Sequence, residues 1–409
     1  MTVTIQKGLT GGTVRVPPSK SMAHRYLICA ALAPEGSESV IRRPGRSDDI
    51  AATAESLRAL GAEITFSPDG EECRVRGTGG HFTAAPRTLF CGESASTLRF
   101  LLPLCLRDGV PTRFVCRGRL AERPIRDYEN LLRPSGIAVE RTEDGFSVCG
   151  TLTPGSFEIA AGNSSQFTSG LLFALPLLGG ESRLSLLGTP VSRGYVDLTA
   201  AVLREVGIGI ERTEKEIIIP GSRTYRPLDV TVEGDESAAA VFRTLAALHP
   251  DAPIVLEGLN PASPQPDRVS GEYLAALRAG TPELSLRDCP DLGPVLIAAA
   301  AALHGAKFRW AARLRIKESD RVDAMQDALN AFGASAQMLW GGCLFVHGAK
   351  LHQPRRPLSP HGDHRIAMAL AVLCTLTGGT IEDAECVSKS LPEFFDLLSD
   401  LGVQIRKSN

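Results

Sequence analysis

The sequence predicts an α/β protein of two domains, each made of three small βαβαββ units, and three observations carry that expectation. At 409 residues the chain exceeds what one hydrophobic core usually accommodates. A polar cluster followed directly by a helix-length apolar run occurs six times. A second helix in each unit then runs into glycine, the usual left-handed stop.

The first helix starts, in order, are Pro18-Ser19-Lys20-Ser21 before Tyr26–Leu32, Gly92-Glu93-Ser94-Ala95-Ser96 before Leu98–Leu106, and Asn163-Ser164-Ser165-Gln166 before Leu171–Leu178. Gly234-Asp235-Glu236-Ser237 before Ala238–Leu248, Cys289-Pro290-Asp291 before Val295–Leu303, and Gly362-Asp363-His364-Arg365 before Ile366–Leu376 follow. The second helices end at Leu60-Gly61, Ser135-Gly136, Val206-Gly207, Phe332-Gly333 and Leu401-Gly402, with a weaker copy around Leu274–Gly280. Alternating stretches such as Glu63-Ile64-Thr65-Phe66 and Glu216-Ile217-Ile218-Ile219 come next and read as strands. This six-fold internal repeat places three units in each of two domains.

Composition bounds the function. With Lys+Arg 44 against Asp+Glu 46 the net charge is −2, so no global basic field draws nucleic acid or an acidic membrane. The N-terminus lacks the apolar run of a signal peptide, and the longest apolar stretches are too short to span a bilayer. Ten cysteines without a CxxC pair fit reduced, packed thiols. A cytoplasmic enzyme or binding protein is the expectation.

Charge is concentrated at the helix starts, where unpaired N–H groups and the helix dipole favour anions. Lys20 opposes that dipole unless an anion arrives. Ser21 and Arg25 share a helix face, Arg25 is expected to reach back to the same spot as Lys20, and Leu27, Ala30 and Ala31 form the buried stripe opposite. Asp363 is placed to cap its helix, leaving Arg365 in the first turn. His361 and His364 lack a completing ligand set, so no metal is expected. In Arg313-Leu314-Arg315-Ile316-Lys317-Glu318-Ser319-Asp320-Arg321 the charges precede a helix whose buried stripe is Val322, Met325, Leu329 and Phe332. A salt-bridged helix start or a polyanion pocket both fit that run. Gly77-Thr78-Gly79-Gly80 lacks GxGxxG spacing and Ser19-Lys20-Ser21 has no preceding glycine loop, so neither Rossmann nor P-loop binding is supported.

These motifs, with Ala121-Glu122-Arg123-Pro124-Ile125, Thr189-Pro190-Val191-Ser192-Arg193-Gly194-Tyr195 and Ser388-Lys389-Ser390-Leu391-Pro392, resemble the EPSP synthase family of enolpyruvyl transferases in family order over nearly the whole chain. The resemblance implies two inverse α/β barrel-like domains, residues 18–228 and residues 1–17 plus 229–409, with the active site in the cleft between them. It implies two substrates, phosphoenolpyruvate and shikimate 3-phosphate, and no cofactor, no metal, no nucleic acid and no membrane; monomer is the family default. Ser21 and Arg25 would hold the shikimate carboxylate, Ser164, Ser165 and Ser192 its phosphate, and Tyr195 its ring side. Lys20 and Gln166 lie near both substrates, and Asp291 and Lys317 would reach the sugar acid's hydroxyls or phosphate. Phosphoenolpyruvate would be gripped by Lys20, Arg123, Gln166, Arg321, Arg365 and Lys389, with Ala95 against it. Asp291 is assigned proton transfer at the 5-hydroxyl, Glu318 at the methylene, and Lys20 electrostatic support.

Two departures stand out. The turn that usually reads Asn-Ala-Gly-Thr is here Glu93-Ser94-Ala95-Ser96, and Arg313 stands where asparagine is common. Since glyphosate occupies the family's phosphoenolpyruvate site with its far end against the turn glycine, Ala95 implies reduced sensitivity. The rival readings are a transferase acting on a UDP-amino sugar, for which Cys116 would be the candidate nucleophile, and a non-catalytic or RNA-end-processing relative of the same repeat.

Overall fold

Polar caps open most of the helices that the repeat pattern marks, in a structure that is a computed structural model describing residues 1–408. Ser19, Ser94, Ser164, Asp235 and Asp363 each accept a hydrogen bond from a backbone N–H of the following turn. The Pro290-Asp291 start differs. A 3₁₀ turn over Pro290–Leu292 leads into that helix without a side-chain cap, because Leu292 at the N-cap position has no acceptor in its side chain. At the other end, Gly207 and Gly333 stop their helices at φ 85° and 83°. A Cβ at Gly333 would have to displace the exposed His352 ring, so it is the left-handed backbone that makes this stop a glycine.

In chain order the elements begin with β1 (Thr2–Ile5) and β2 (Gly12–Arg15). The first repeat then gives α1 (Lys20–Leu32), β3 (Glu38–Arg42), α2 (Asp48–Ala59), β4 (Glu63–Phe66) and β5 (Glu72–Arg76). The second gives β6 (Arg87–Gly92), α3 (Ala95–Cys105), β7 (Thr112–Cys116), α4 (Arg126–Leu132), β8 (Ala138–Thr142) and β9 (Gly145–Cys149). The third gives β10 (Ser156–Ala160), α5 (Ser165–Ala174), β11 (Ser182–Leu187), α6 (Arg193–Glu205), β12 (Glu211–Arg212) and β13 (Glu216–Ile219), followed by β14 (Asp229–Thr231). Their sheets share one order, β14-β3-β5-β4, β6-β7-β9-β8 and β10-β11-β13-β12, in which the first pair is parallel and the others antiparallel.

The remaining repeats give α7 (Glu236–Leu248), β15 (Ile254–Glu257), α8 (Ser270–Ala279), β16 (Glu283–Ser285), α9 (Gly293–Ala302), β17 (Gly305–Arg309), α10 (Arg321–Ala331), β18 (Ser335–Leu339) and β19 (Cys343–His347). Last come α11 (His364–Thr377), β20 (Gly379–Ile381), α12 (Phe394–Asp400) and β21 (Ile405–Ser408). The β16-β17-β19-β18 sheet repeats the common order. The fourth repeat is shorter than the expected βαβαββ. Only residues 280–282 separate α8 from β16, which leaves no chain for a hairpin.

Chain contacts divide the molecule into Pro18–Glu233 and a second unit of Met1–Pro17 with the residues from Gly234 onward. Strand exchange explains where the division falls. β1 lies antiparallel between β20 and β21, and β2 runs parallel to β15, so the N-terminal residues complete sheets of the second unit. Residues 229–233, expected with the C-terminal part, lie with Pro18–Glu233 because β14 pairs with β3 through Asp229, Val230 and Thr231.

Each unit buries its first helices. α1 is buried on every side from Met22 to Leu32, not only along Leu27, Ala30 and Ala31. α1, α3 and α5 meet around Phe100, whose ring lies 5.5 Å from Phe173 and 6.4 Å from His24. In the second unit α9, apolar all round, packs between α7 and α11. With their sides committed to the core, these helices can offer only their N-terminal ends to a ligand.

Candidate active site

In the Pro18–Glu233 unit, Lys20 is the first residue of α1, and its Nζ lies 2.8 Å from Asp49 Oδ2 in the first turn of α2. That carboxylate offsets a cation at the positive end of a helix dipole. Arg25 reaches back one turn to the carbonyl of Ser21, the neighbour of Lys20, and it also engages α6. Its Nε donates to Thr199 Oγ1 at 2.8 Å, and its terminal nitrogens donate to the carbonyls of Ser21 at 2.7 Å and Tyr195 at 3.0 Å. These acceptors are all neutral. Burial pulls the guanidinium down to about 10, with Tyr195 opposing, although Arg25 is only 2% exposed. A buried cation held by neutral groups is costly, and an arriving anion offsets the cost.

The start of α5 is tied to α3. Gln166 Nε2 donates to Ser96 Oγ at 2.9 Å, Arg99 donates to Gln166 Oε1 at 2.8 Å, and a second Arg99 nitrogen donates to the Pro124 carbonyl at 3.0 Å. Ser164 Oγ accepts from Gln166 N at 3.3 Å, which sets Ser164 and Ser165 at the N-terminal end of α5, where backbone N–H groups favour an anion. Arg123 is buried just after a 3₁₀ turn over Gly118–Glu122. Ser192 precedes α6 at φ 54°, a left-handed conformation that costs a non-glycine residue about 1–3 kcal/mol and recurs at functional sites. Tyr195 follows in the first turn of α6, partly buried against the core. Ala95 opens α3 and is buried, and the Glu93 side chain lies against Gly118.

In the second unit a carboxylate sits among three cations. Asp291 Oδ1 accepts from Lys317 Nζ at 3.3 Å and from Arg321 at 3.0 Å, and Oδ2 accepts from Arg365 at 3.3 Å. Arg321 also donates to Glu318 Oε2 at 2.8 Å and makes two bonds to Asp363, at 2.7 and 3.3 Å. Asp363 in turn caps α11 through Arg365 N, as expected. The charged run therefore has two faces. Arg315 pairs with Asp320 and Asp323 toward solvent, whereas Lys317, Glu318 and Arg321 turn inward. The expected stripe of Val322, Met325, Leu329 and Phe332 is fully buried. Lys389 is 7% exposed at the end of a 3₁₀ turn over Ala384–Lys389.

The electrostatics follow from burial and proximity. Burial alone would push the Asp291 carboxyl up; Arg365, Lys317 and Arg321 outweigh it and hold the group well below the usual carboxylate range. Burial pushes the Lys317 ammonium down to about 8, with Asp291 opposing. Asp267, 1% exposed and hydrogen-bonded by Ser237, is raised to about 7 by burial and by Asp291, with Arg365 opposing. Arg313 donates to the Arg287 carbonyl at 2.7 Å; burial lowers it, with Asp291 and Asp288 opposing.

Sequence reasoning missed Asp49 and Asp267. Ser47-Asp48-Asp49 is one more polar helix start and could have pointed to the first. Nothing local marks the second, which enters through a fold contact. Cys116, the candidate nucleophile of the rival reading, lies in β7 with its thiol pushed up to about 12 by burial and by Asp144, so it carries no thiolate near neutral pH. Among the described residues no group of three or more His, Cys, Asp or Glu side chains is placed to hold a metal ion, and no helix is long and apolar enough to cross a membrane.

Comparison with known proteins gives the site its context. Residues 3–398 match the family model for EPSP synthase (3-phosphoshikimate 1-carboxyvinyltransferase). A 3-phosphoshikimate 1-carboxyvinyltransferase of Clostridium botulinum is 37% identical, with 100% of this chain and 99% of the relative covered. One of Clostridium beijerinckii is 38% identical, with 97% of each covered. Among solved structures, an EPSP synthase from Acinetobacter baumannii shares the fold at a TM-score of 0.76 and 24% identity, covering 99% of this chain and 100% of that one. The family model and the curated relatives span both units and all the helix starts described above, and the chain belongs to the EPSP synthase family.

Proposed function

We propose that the chain transfers the enolpyruvyl group of phosphoenolpyruvate to the 5-hydroxyl of shikimate 3-phosphate, releasing phosphate. The observation that carries this reading is the group of Lys317, Arg321 and Arg365 around Asp291, with Glu318 on the same Arg321. It combines cations for a small polyanion with two carboxylates able to move protons.

The proposed reaction is addition followed by elimination. The 5-hydroxyl oxygen attacks the enol carbon of phosphoenolpyruvate and loses its proton, while the methylene carbon gains one and becomes methyl. From this tetrahedral ketal the C–O bond to phosphate breaks, the methyl gives back a proton, and the vinyl ether forms. Asp291 is assigned to the hydroxyl and Glu318 to the methylene, with Lys20 as electrostatic support. Held well below the usual range, Asp291 is ionised but weakly basic. It gains basicity when substrate anions engage the cations that hold it. Arg25, buried among neutral acceptors, suits the sugar-acid carboxylate. Ser164, Ser165 and Ser192 suit its phosphate, with Tyr195 beside the ring. Arg123, Gln166, Arg321, Arg365 and Lys389 are assigned to phosphoenolpyruvate. The test is phosphate release. It should require both substrates, and release with a UDP-amino sugar in place of shikimate 3-phosphate would contradict the reading.

Two further outcomes are expected. Lys317 is charged below pH about 8 and neutral above it, so kcat/KM for shikimate 3-phosphate should fall as pH rises through about 8. In Lys317→Arg that limb should move well to the alkaline side. A limb at the same pH in the variant removes Lys317 as its origin.

The second concerns inhibition. Ala95 is buried at the first position of α3, and the family resemblance would set its methyl against the far end of a longer ligand. Overpacking of this kind costs about 1–3 kcal/mol. Ala95→Gly is expected to lower the glyphosate inhibition constant, measured competitively against phosphoenolpyruvate, with a smaller change in KM. Equal constants in the two proteins would sink the idea.

A further inference from the structure

Three buried hydroxyls and a histidine, none yet tied to a substrate, run in a line through the Pro18–Glu233 unit. His24 Nδ1 lies 2.8 Å from Thr53 Oγ1, Thr53 Oγ1 lies 2.7 Å from Thr97 Oγ1, and Thr97 Oγ1 donates to Ser94 Oγ at 2.8 Å. All four residues are 0–1% exposed. They join α1, α2 and the N-cap of α3, since Ser94 Oγ also accepts from Thr97 N at 3.3 Å.

Donor counting fixes the direction of the line. A hydroxyl has one proton to give. Thr97 gives its proton to Ser94, so the bond with Thr53 must bring a proton from Thr53. Thr53 has then spent its own, and the bond with His24 must bring a proton from the ring. His24 is therefore the tautomer protonated on Nδ1. Its Nε2, buried and with no hydrogen-bond partner, is left as a bare acceptor, which costs less than an orphaned N–H would. Burial supports a neutral ring, pulling His24 down to about 3 with Asp49 opposing and Lys20 and Arg25 adding.

The line runs beside a second cross-link. Lys20 and His24 are four residues apart on α1, and their partners Asp49 and Thr53 are four apart on α2. The two helices are thus joined twice, one turn apart, and the lower join continues into the first turn of α3. That turn carries Ser96, which holds Gln166, and Arg99 in the next turn holds the same amide from the other side.

We propose that His24, Thr53, Thr97 and Ser94 form a one-way hydrogen-bond relay that positions the first turn of α3, and through Ser96 the Gln166 amide, for phosphoenolpyruvate. The four are positioning residues, and the ligand named rests on the function proposed above. Thr53→Val keeps shape and removes the central hydroxyl, and Thr53→Ser keeps the hydroxyl. In Thr53→Val the KM for phosphoenolpyruvate should rise about tenfold, the scale of one lost buried hydrogen bond, while KM for shikimate 3-phosphate and kcat change less than about twofold. Thr53→Ser should restore the wild-type constant. A merely structural threonine would lower the unfolding temperature without this split.

Two substrate-free readings accompany the kinetics. Nitrogen-15 NMR of histidine-labelled protein should show the His24 ring protonated on Nδ1, assigned by loss of the signal in His24→Asn. Exchange of the Thr97 amide should quicken in Thr53→Val. If that variant does not fold, Thr53→Ala serves for both measurements. An Nε2-protonated ring, or a phosphoenolpyruvate KM unmoved in a folded variant, overturns the relay. Wild-type protein inactive with both substrates overturns the functional reading instead, and the two substrate-free readings then decide the relay alone.

Discussion

Asp291→Asn is expected to lower kcat by about 10²–10⁴-fold while the protein still folds, because the change keeps the size of the side chain and removes its proton-accepting charge. The surroundings make the test discriminating. Lys317, Arg321 and Arg365 all donate to this carboxylate, so the asparagine carbonyl retains an acceptor for part of the set. If Asp291 served only to neutralise those cations, the variant would bind the substrate anions more tightly and turn over at nearly the wild-type rate. A large fall in kcat with KM values little raised supports the assigned role, and near-normal turnover removes it.

Arg321→Met should have the largest effect on stability. The guanidinium is 1% exposed and contacts Asp291, Glu318 and Asp363, the last through two bonds. Its removal leaves the fully buried Asp363 facing the partly buried Asp291 and Glu318 with no cation between them, and breaking a buried pair in this way costs about 3–5 kcal/mol. Urea unfolding should register that loss in the midpoint with the slope unchanged. A loss below about 1 kcal/mol would mean that water or Lys317 takes over the charge. The variant should also be nearly inactive, since the same group is assigned to phosphoenolpyruvate.

Much of the fold was legible because its signals are local. A serine or aspartate ahead of an apolar run is read within four residues, and Ser19, Ser94, Ser164, Asp235 and Asp363 cap their helices accordingly. The buried stripe from Val322 to Phe332 is likewise a matter of spacing along one helix. What escaped was non-local. β14 pairs with β3 across roughly 190 residues of chain, and nothing within Asp229–Thr231 announces that partner. The position of the division after Glu233 follows from that pairing alone.

The site divides in the same way. The charged helix starts were visible as clusters of residue types, and the structure brings Asp291, Lys317, Glu318, Arg321 and Arg365 together in one unit. The direction of a long side chain was not visible. Arg25 engages α6 as well as the Ser21 carbonyl one turn back, because Thr199 and the Tyr195 carbonyl offer buried acceptors there, which only packing creates. Asp49 and Asp267 entered through contacts between elements. So did the His24–Thr53–Thr97–Ser94 line, whose members lie on three different helices or caps.

The central claim, enolpyruvyl transfer through a ketal, is tested most directly by running the reaction in deuterium oxide with phosphoenolpyruvate and shikimate 3-phosphate. Protonation of the methylene makes a methyl group that carries one solvent deuteron, and loss of a hydrogen from it then leaves deuterium in the vinyl methylene of the product. The account predicts product deuterated at that carbon, formed in step with phosphate release. Product formed with an undeuterated methylene, or phosphate released without product, would contradict it.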